Sequence, residues 1–245
     1  MSSALTATLL AAAACWFPPI DLPPVIPAFG TKLENYYRKP DPKIAEQFLV
    51  ELLKPENIDH KWFNAHADVL EIMGTQLGDL ARGREEMIRR YETAYAGTTV
   101  RGKRVIVAAL KVCGDETSQT ATAGWLKDET DAALKGDLEA LQKRLADPDR
   151  KHFRDLPVKT PHDVDLLWGN FYITGEYEPV SAILDVFDRK DDDETALLRR
   201  VAKFSLGSNL QRHPQLVALI QKHRKERGAG SEKALIELIL EFMQK

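Results

Sequence analysis

The residues best placed to do chemistry lie late in the chain. Ser205, Asn209 and His213 recur at four-residue steps, with Ser208 beside them, and that spacing lines one face of a helix. A serine, a histidine and an amide are the parts of a hydrolase, provided base and nucleophile come within hydrogen-bond reach. A single straight helix would hold Ser205 and His213 roughly 12 Å apart along its axis. A hydrolytic site would therefore have to form between this segment and the hairpin that carries His162 and Trp168. The plainer chemistry is a buried polar network or cap. Ser208 and Asn209 can bond backbone groups at a helix end, and His213, directly before Pro214, is biased toward a break between helices.

Other motifs fall short of a known chemistry. Gly97 to Arg104, GTTVRGKR, nearly spells a phosphate-binding loop. Arg104 stands where the magnesium-binding hydroxyl belongs, and the residues before it read as helix where the motif needs a strand. A turn between helices with a basic edge is the expectation there. His60 and His66 are not at the i, i+4 spacing that puts two ligands on one helical face, and His152 and His162 fall in or beside a loop, so no metal is expected. Asp188 to Glu194, DRKDDDE, lacks the order of a calcium loop and reads as a solvated turn. Lys222 to Lys233 is a locally basic turn without interleaved aromatics. Trp62, Phe63, Trp125, Trp168, Phe171 and Tyr172 would suit a peptide or glycan groove, although helical spacing favours core packing. Asn170 and Tyr172 leave the apolar face of their helix beside Trp168, which marks them as candidate partner contacts. No cofactor is implied.

The elements that must position these residues are helices. Thr160 to Arg189 reads as an antiparallel hairpin. Thr160 is the N-cap, Pro161 the first helical residue and Asp163 a carboxylate in the first turn. Val164, Leu167, Trp168 and Phe171 form one stripe, Gly175 ends the helix, and Pro179 restarts the chain with Val180, Ile183, Leu184 and Phe187. Upstream, helical patterns cover Pro42 to Lys54, Asp59 to Arg82 with an interruption expected at Gly74 or Gly78, Arg84 to Ala96, Arg101 to Cys113 and Leu134 to Leu145. Asp115 to Lys127 stays ambiguous. Downstream, Glu194 to Gln211 carries Leu197, Leu198, Val201, Phe204 and Leu206, and Pro214 to Arg227 and Ser231 to Met243 follow. Val105-Ile106-Val107 could be argued as a strand, but no other strand is evident for it to pair with. Strand alternation is absent elsewhere, so the fold class is all-α: stacked antiparallel helical hairpins, irregular and solenoid-like or a helical bundle.

At 245 residues, 44% hydrophobic and 29% charged, the composition is that of an ordinary globular chain. A net charge of −3 argues against a nucleic-acid partner. Cys15 and Cys113 match no zinc or redox spacing. Residues 1–17 hold an apolar, uncharged run, ALTATLLAAAACWF, which resembles a signal or lipoprotein segment with Cys15 as the lipidation site. No Lys or Arg precedes Lys32, so the basic start of an export signal is missing. Residues 18–35 are proline-rich at first, with too many prolines for a helix over Pro18 to Pro27, and read as a linker or strap. Residues 36–245 are expected to form a single helical domain.

Three segments carry a resemblance: Tyr36 to Pro42 (YYRKPDP), Asp165 to Val180 (DLLWGNFYITGEYEPV) and Phe204 to Leu216 (FSLGSNLQRHPQL). Together they resemble a group of uncharacterised bacterial all-helical proteins, some of which begin with export signals. The resemblance implies a helical-hairpin fold and a bacterial origin, and it carries no activity. The leading expectation is a non-catalytic helical scaffold or binding protein of the periplasm or cell envelope with a protein or peptide partner. Trp168, Asn170, Tyr172, Ser208, Asn209 and His213 are its candidate contacts, and the membrane is reached only through a lipid on Cys15. The alternative is a hydrolase between the Trp168 hairpin and the Ser205 to His213 segment, in a cytoplasmic or exported protein.

Overall fold

The computed structural model describes residues 21–114, 116–189 and 193–227. Cys15, with the rest of 1–20, and the helix expected over Ser231 to Met243 lie outside the described residues. Thirteen α-helices and no strand occur among the described residues, so the fold is all-α. Within the span expected to be one domain, contacts gather into two compact units, one of Ile20–Phe153 with Tyr172–Gly175, the other including Arg154–Phe171 and the chain from Glu176 onward.

The larger unit begins with α1 (Val25–Glu34), a correction to the expectation that prolines exclude helix before residue 28. Pro27 falls in the first turn of α1, where the missing amide hydrogen would have had no intrahelical partner. Val25, Phe29 and Leu33 are buried. The backbone amide of Val25 donates to Asn57 Oδ1 at 2.9 Å, and the buried Asn57 amide donates onward to the Glu51 carbonyl at 2.7 Å. The start of the described chain is thus docked onto the helices that follow. These are α2 (Pro42–Leu52), with Asp41 capping the Lys43 amide, and the single turns α3 (Pro55–Ile58) and α4 (Trp62–Ala65). Then come α5 (Ala67–Ala81), α6 (Glu85–Gly97), α7 (Val100–Cys113), α8 (Glu116–Asp128) and α9 (Ala132–Ala146).

The break expected at Gly74 or Gly78 occurs instead at His66, between α4 and α5. Both glycines are inside α5, where they let α7 approach. A Cβ on Gly78 would stand 2.4 Å from the Ala109 carbonyl oxygen, and one on Gly74 2.7 Å from Ala108 Cβ. Two glycines one turn apart leave a groove on α5 that the Val105–Val112 face of α7 fills backbone to backbone. That contact makes α5 and α7 the central pair of the unit.

Helix α10 (Pro161–Thr174), which belongs to the smaller unit as far as Phe171, opens with a reciprocal cap: the Thr160 amide donates to Asp163 Oδ2 at 2.7 Å and the Asp163 amide to Thr160 Oγ1 at 3.2 Å. Its stripe of Val164, Leu167, Trp168 and Phe171 is buried. Gly175 follows at φ +67°, in the left-handed region. Helix α11 (Tyr177–Leu184) runs into a 3-10 turn, Asp185–Asp188, and α12 (Asp193–Arg212) and α13 (Leu216–Arg227) complete the described chain. On α12 the burial departs from the expected stripe. Leu197 and Phe204 are exposed, at 52% and 45%, whereas Leu198, Ala202, Ser205 and Asn209 face inward. Polar side chains occupy the buried face because they bond their own backbone: Ser205 Oγ donates to the Ala202 carbonyl and Asn209 Nδ2 to the Ser205 carbonyl.

Candidate functional site: a groove along α7

Beside the glycine contact, α4, the first half of α5, α7 and α9 enclose a groove of about 760 Å³. The floor is apolar, with Phe63, Leu70, Val105, Val107 and Ala108 nearly closed to solvent. The cations of the groove come from one helix. Arg101, Arg104 and Lys111 lie at i, i+3 and i+10 of α7, a helix without a single acid. The acids, Asp59, Glu71 and Asp137, come from the surrounding segments.

The three cations are held differently. Arg101 Nη1 donates to the Ile58 carbonyl at 3.1 Å and Nη2 to Asn64 Oδ1 at 2.8 Å. Both acceptors are neutral, so the guanidinium is oriented without meeting a carboxylate in either bond. Arg104 Nε donates to Asp137 Oδ2 at 3.2 Å, with both side chains about half exposed, a pairing worth little in water. Lys111 is exposed and makes no ion pair among the described residues. The N-terminus of α7 opens onto the same end of the groove. Thr99 caps it by accepting from the Gly102 amide, and the Thr99 hydroxyl donates to Asp59 Oδ1 at 3.3 Å. A helix N-terminus adds partial positive charge to that end.

One flank of α7, at Lys103, is braced. Lys103 Nζ lies 2.8 Å from Glu129 Oε2 and 4.9 Å above the Tyr95 ring, which stacks flat on Trp125 at 3.9 Å. Glu129 also accepts from the Tyr95 hydroxyl at 2.9 Å and from the Thr130 and Asp131 amides at 3.0 Å. The Lys103 ammonium, then the Asp131 amide and the Tyr95 hydroxyl, hold its carboxyl down to about 2. Burial, then the Glu129 carboxylate, pushes the Tyr95 phenol well above its usual range. The braced helix presents Arg101, Arg104 and Lys111 along the groove, with Asp59, Glu71 and Asp137 on the surrounding segments.

The sequence candidates are placed elsewhere. Trp168, Asn170, Asn209 and His213 are buried, and Tyr172 and Ser208 are half-buried. His213 sits between α12 and α13, its amide bonded to the Asn209 carbonyl at 2.8 Å and its ring edge-on to Phe171 at 5.8 Å. Phe171 in turn meets Trp168 edge-on, also at 5.8 Å. Arg212 reaches back to Ser208 Oγ at 3.5 Å. A partner approaching from solvent could touch the buried members of this set only if helices parted. Of the expected aromatic groove, Phe63 alone lines the α7 groove; Trp62 instead stacks on His66 at 4.0 Å. The expected turn over 97–104 shrinks to Thr98 and Thr99 between α6 and α7, and its basic residues Arg101 and Arg104 belong to the first turns of α7. Their role was hidden because Asp59, Asn64 and Asp137 are remote in sequence. Compared with protein-family descriptions, curated proteins and solved structures, the chain finds no match. No helix among the described residues is long and apolar enough to cross a membrane.

Proposed function

We propose that the chain is a non-catalytic helical binding protein of the bacterial envelope, and that its partner lays an acidic, extended peptide segment along the α7 groove. The observation that carries this reading is Arg101, oriented over an apolar floor by two neutral acceptors. Arg101 and Lys111 are ten residues apart, about 15 Å along the helix. An extended peptide advances about 3.3 Å per residue, so carboxylates four or five residues apart would meet both cations. Apolar side chains between them would face Phe63, Leu70 and Val107. The non-catalytic part of the reading is supported by the Ser205 to His213 segment, whose hydroxyl and amide groups are bonded to their own helix. The envelope location rests on the apolar N-terminal run and on the resemblance to helical proteins of which some begin with export signals.

Fluorescence anisotropy with labelled peptides tests the binding. Peptides with two acids at that spacing and leucine or valine between them are expected to bind, and Arg101→Gln to weaken them at least tenfold without loss of helical circular dichroism. Equal binding of a peptide with glutamines in place of the acids would overturn the reading. For location, the intact mass of protein from its native host is expected to show the N-terminal segment removed. An unprocessed terminus in the soluble fraction would contradict export.

A further inference from the structure

We propose that Asp185, Asp188 and His223 form a binding site for a divalent transition-metal ion of the zinc class. In the sequence Asp188 reads as part of the acidic run that follows, and His223 as part of a basic turn. The fold gives them a common focus. Tyr177, Ser181 and Asp185 follow at four-residue steps along α11 and into the 3-10 turn Asp185–Asp188. Residues i and i+3 of a 3-10 turn eclipse one another, so Asp185 and Asp188 project to the same side. That side faces α13, which packs on α11 and carries His223.

The imidazole of His223 is fully buried. Its Nδ1 lies 3.2 Å from both the Tyr177 hydroxyl and Ser181 Oγ, and its Nε2 lies 3.6 Å from Asp185 Oδ1. Ligand atoms of Asp185, Asp188 and His223 all come within 4.8 Å of one another. A hydroxyl that accepts from Nδ1–H fixes the neutral tautomer and leaves the Nε2 lone pair aimed at the carboxylates. This is the outer support that metal-bound histidines use. The 3.6 Å separation exceeds a hydrogen bond but suits a shared cation. Bonds of about 2.0–2.2 Å in a tetrahedral site put ligand atoms about 3.4 Å apart. The wider separation closes through Asp188, which is exposed and free to change rotamer at the end of its turn. Two carboxylates neutralise a dication, the imidazole nitrogen favours zinc over magnesium or calcium, and the fourth position is left to water. Lys222, the adjacent cation, is turned away over the Tyr177 ring, 4.0 Å from its centroid, and toward Glu226.

Isothermal titration calorimetry of the full-length protein, stripped with chelator and titrated with zinc chloride, tests the site. The expected result is one ion per chain, with affinity lowered at least tenfold in both Asp188→Asn and His223→Gln, the usual scale for losing a ligand or its support. Cobalt(II) should give visible absorption bands in the wild type that both variants lose, and excess magnesium should not displace the metal. If His223→Gln does not fold, Asp188→Asn decides alone, since its side chain is on the surface. Absence of zinc binding would overturn the site, and so would zinc titrating identically in wild type and Asp188→Asn. Neither result bears on the peptide groove, which belongs to the other unit.

Discussion

Trp168, Phe171 and His213 form a chain of edge-on ring contacts in the smaller unit. Trp168 is 3% exposed and His213 fully buried, so Trp168→Ala should destabilise by about 3–5 kcal/mol in a urea denaturation series. His213→Ala should cost about 2 kcal/mol, from lost ring packing and lost polar contacts together. His213→Gln should recover only the polar part, and neither variant should change any ester- or peptide-hydrolysing activity of the preparation. A second residue-scale test is Glu129. Its folded carboxyl, held to about 2, lies below its ordinary value of 4.5, so its contribution is fully present above pH 4.5 and is lost as pH falls toward 2. The side chain is 4% exposed, and a contribution on the order of 2 kcal/mol is expected after discounting for solvent screening. Glu129→Gln should therefore unfold at a lower denaturant concentration than wild type at pH 7, with the gap narrowing toward pH 2; a constant gap would refute it. Caps and stripes such as Thr160, Asp163 and Trp168 were legible from neighbours in sequence. The inward turn of Ser205 and Asn209 was not, because it depends on which face of α12 the rest of the unit covers.

At the scale of elements, the α5–α7 pair is set by Gly74 and Gly78. A side chain at Gly78 would meet backbone, the Ala109 carbonyl, which cannot rotate aside. Gly78→Ala is expected to lower stability by about 1–3 kcal/mol, as overpacking does, and to loosen α7 enough to speed amide exchange over Val105 to Val112. Gly136, on α9 with open space around its Cβ position, is the control. Gly136→Ala should leave stability the same or slightly raised, since alanine is the better helix former. Helix existence was readable from periodicity for most of the chain. Helix boundaries were not where a residue's meaning depends on its turn. Pro27 is harmless in a first turn but would break an interior one. Gly74 and Gly78 look like breaks until the approaching helix is known, and the break falls at His66, where no glycine or proline marks it.

On the scale of the molecule, the cationic stripe on α7 was written locally, in VRGKR and Lys111, while everything that makes it a site is distant. Ile58 and Asn64 orient Arg101 from some forty residues upstream, and the α9 wall lies about thirty residues beyond. Net charge, slightly acidic overall, conceals a helix with four cations and no acid. The central claim, an acidic segment held along α7, is tested most directly through Lys111, which is exposed and can be altered without touching the fold. In an anisotropy titration of one peptide with acids five residues apart, Lys111→Glu should weaken binding at least tenfold relative to wild type. The wild-type affinity should fall with added salt, as exposed charge attraction does. Affinity unchanged by Lys111→Glu, and indifferent to salt, would contradict the account.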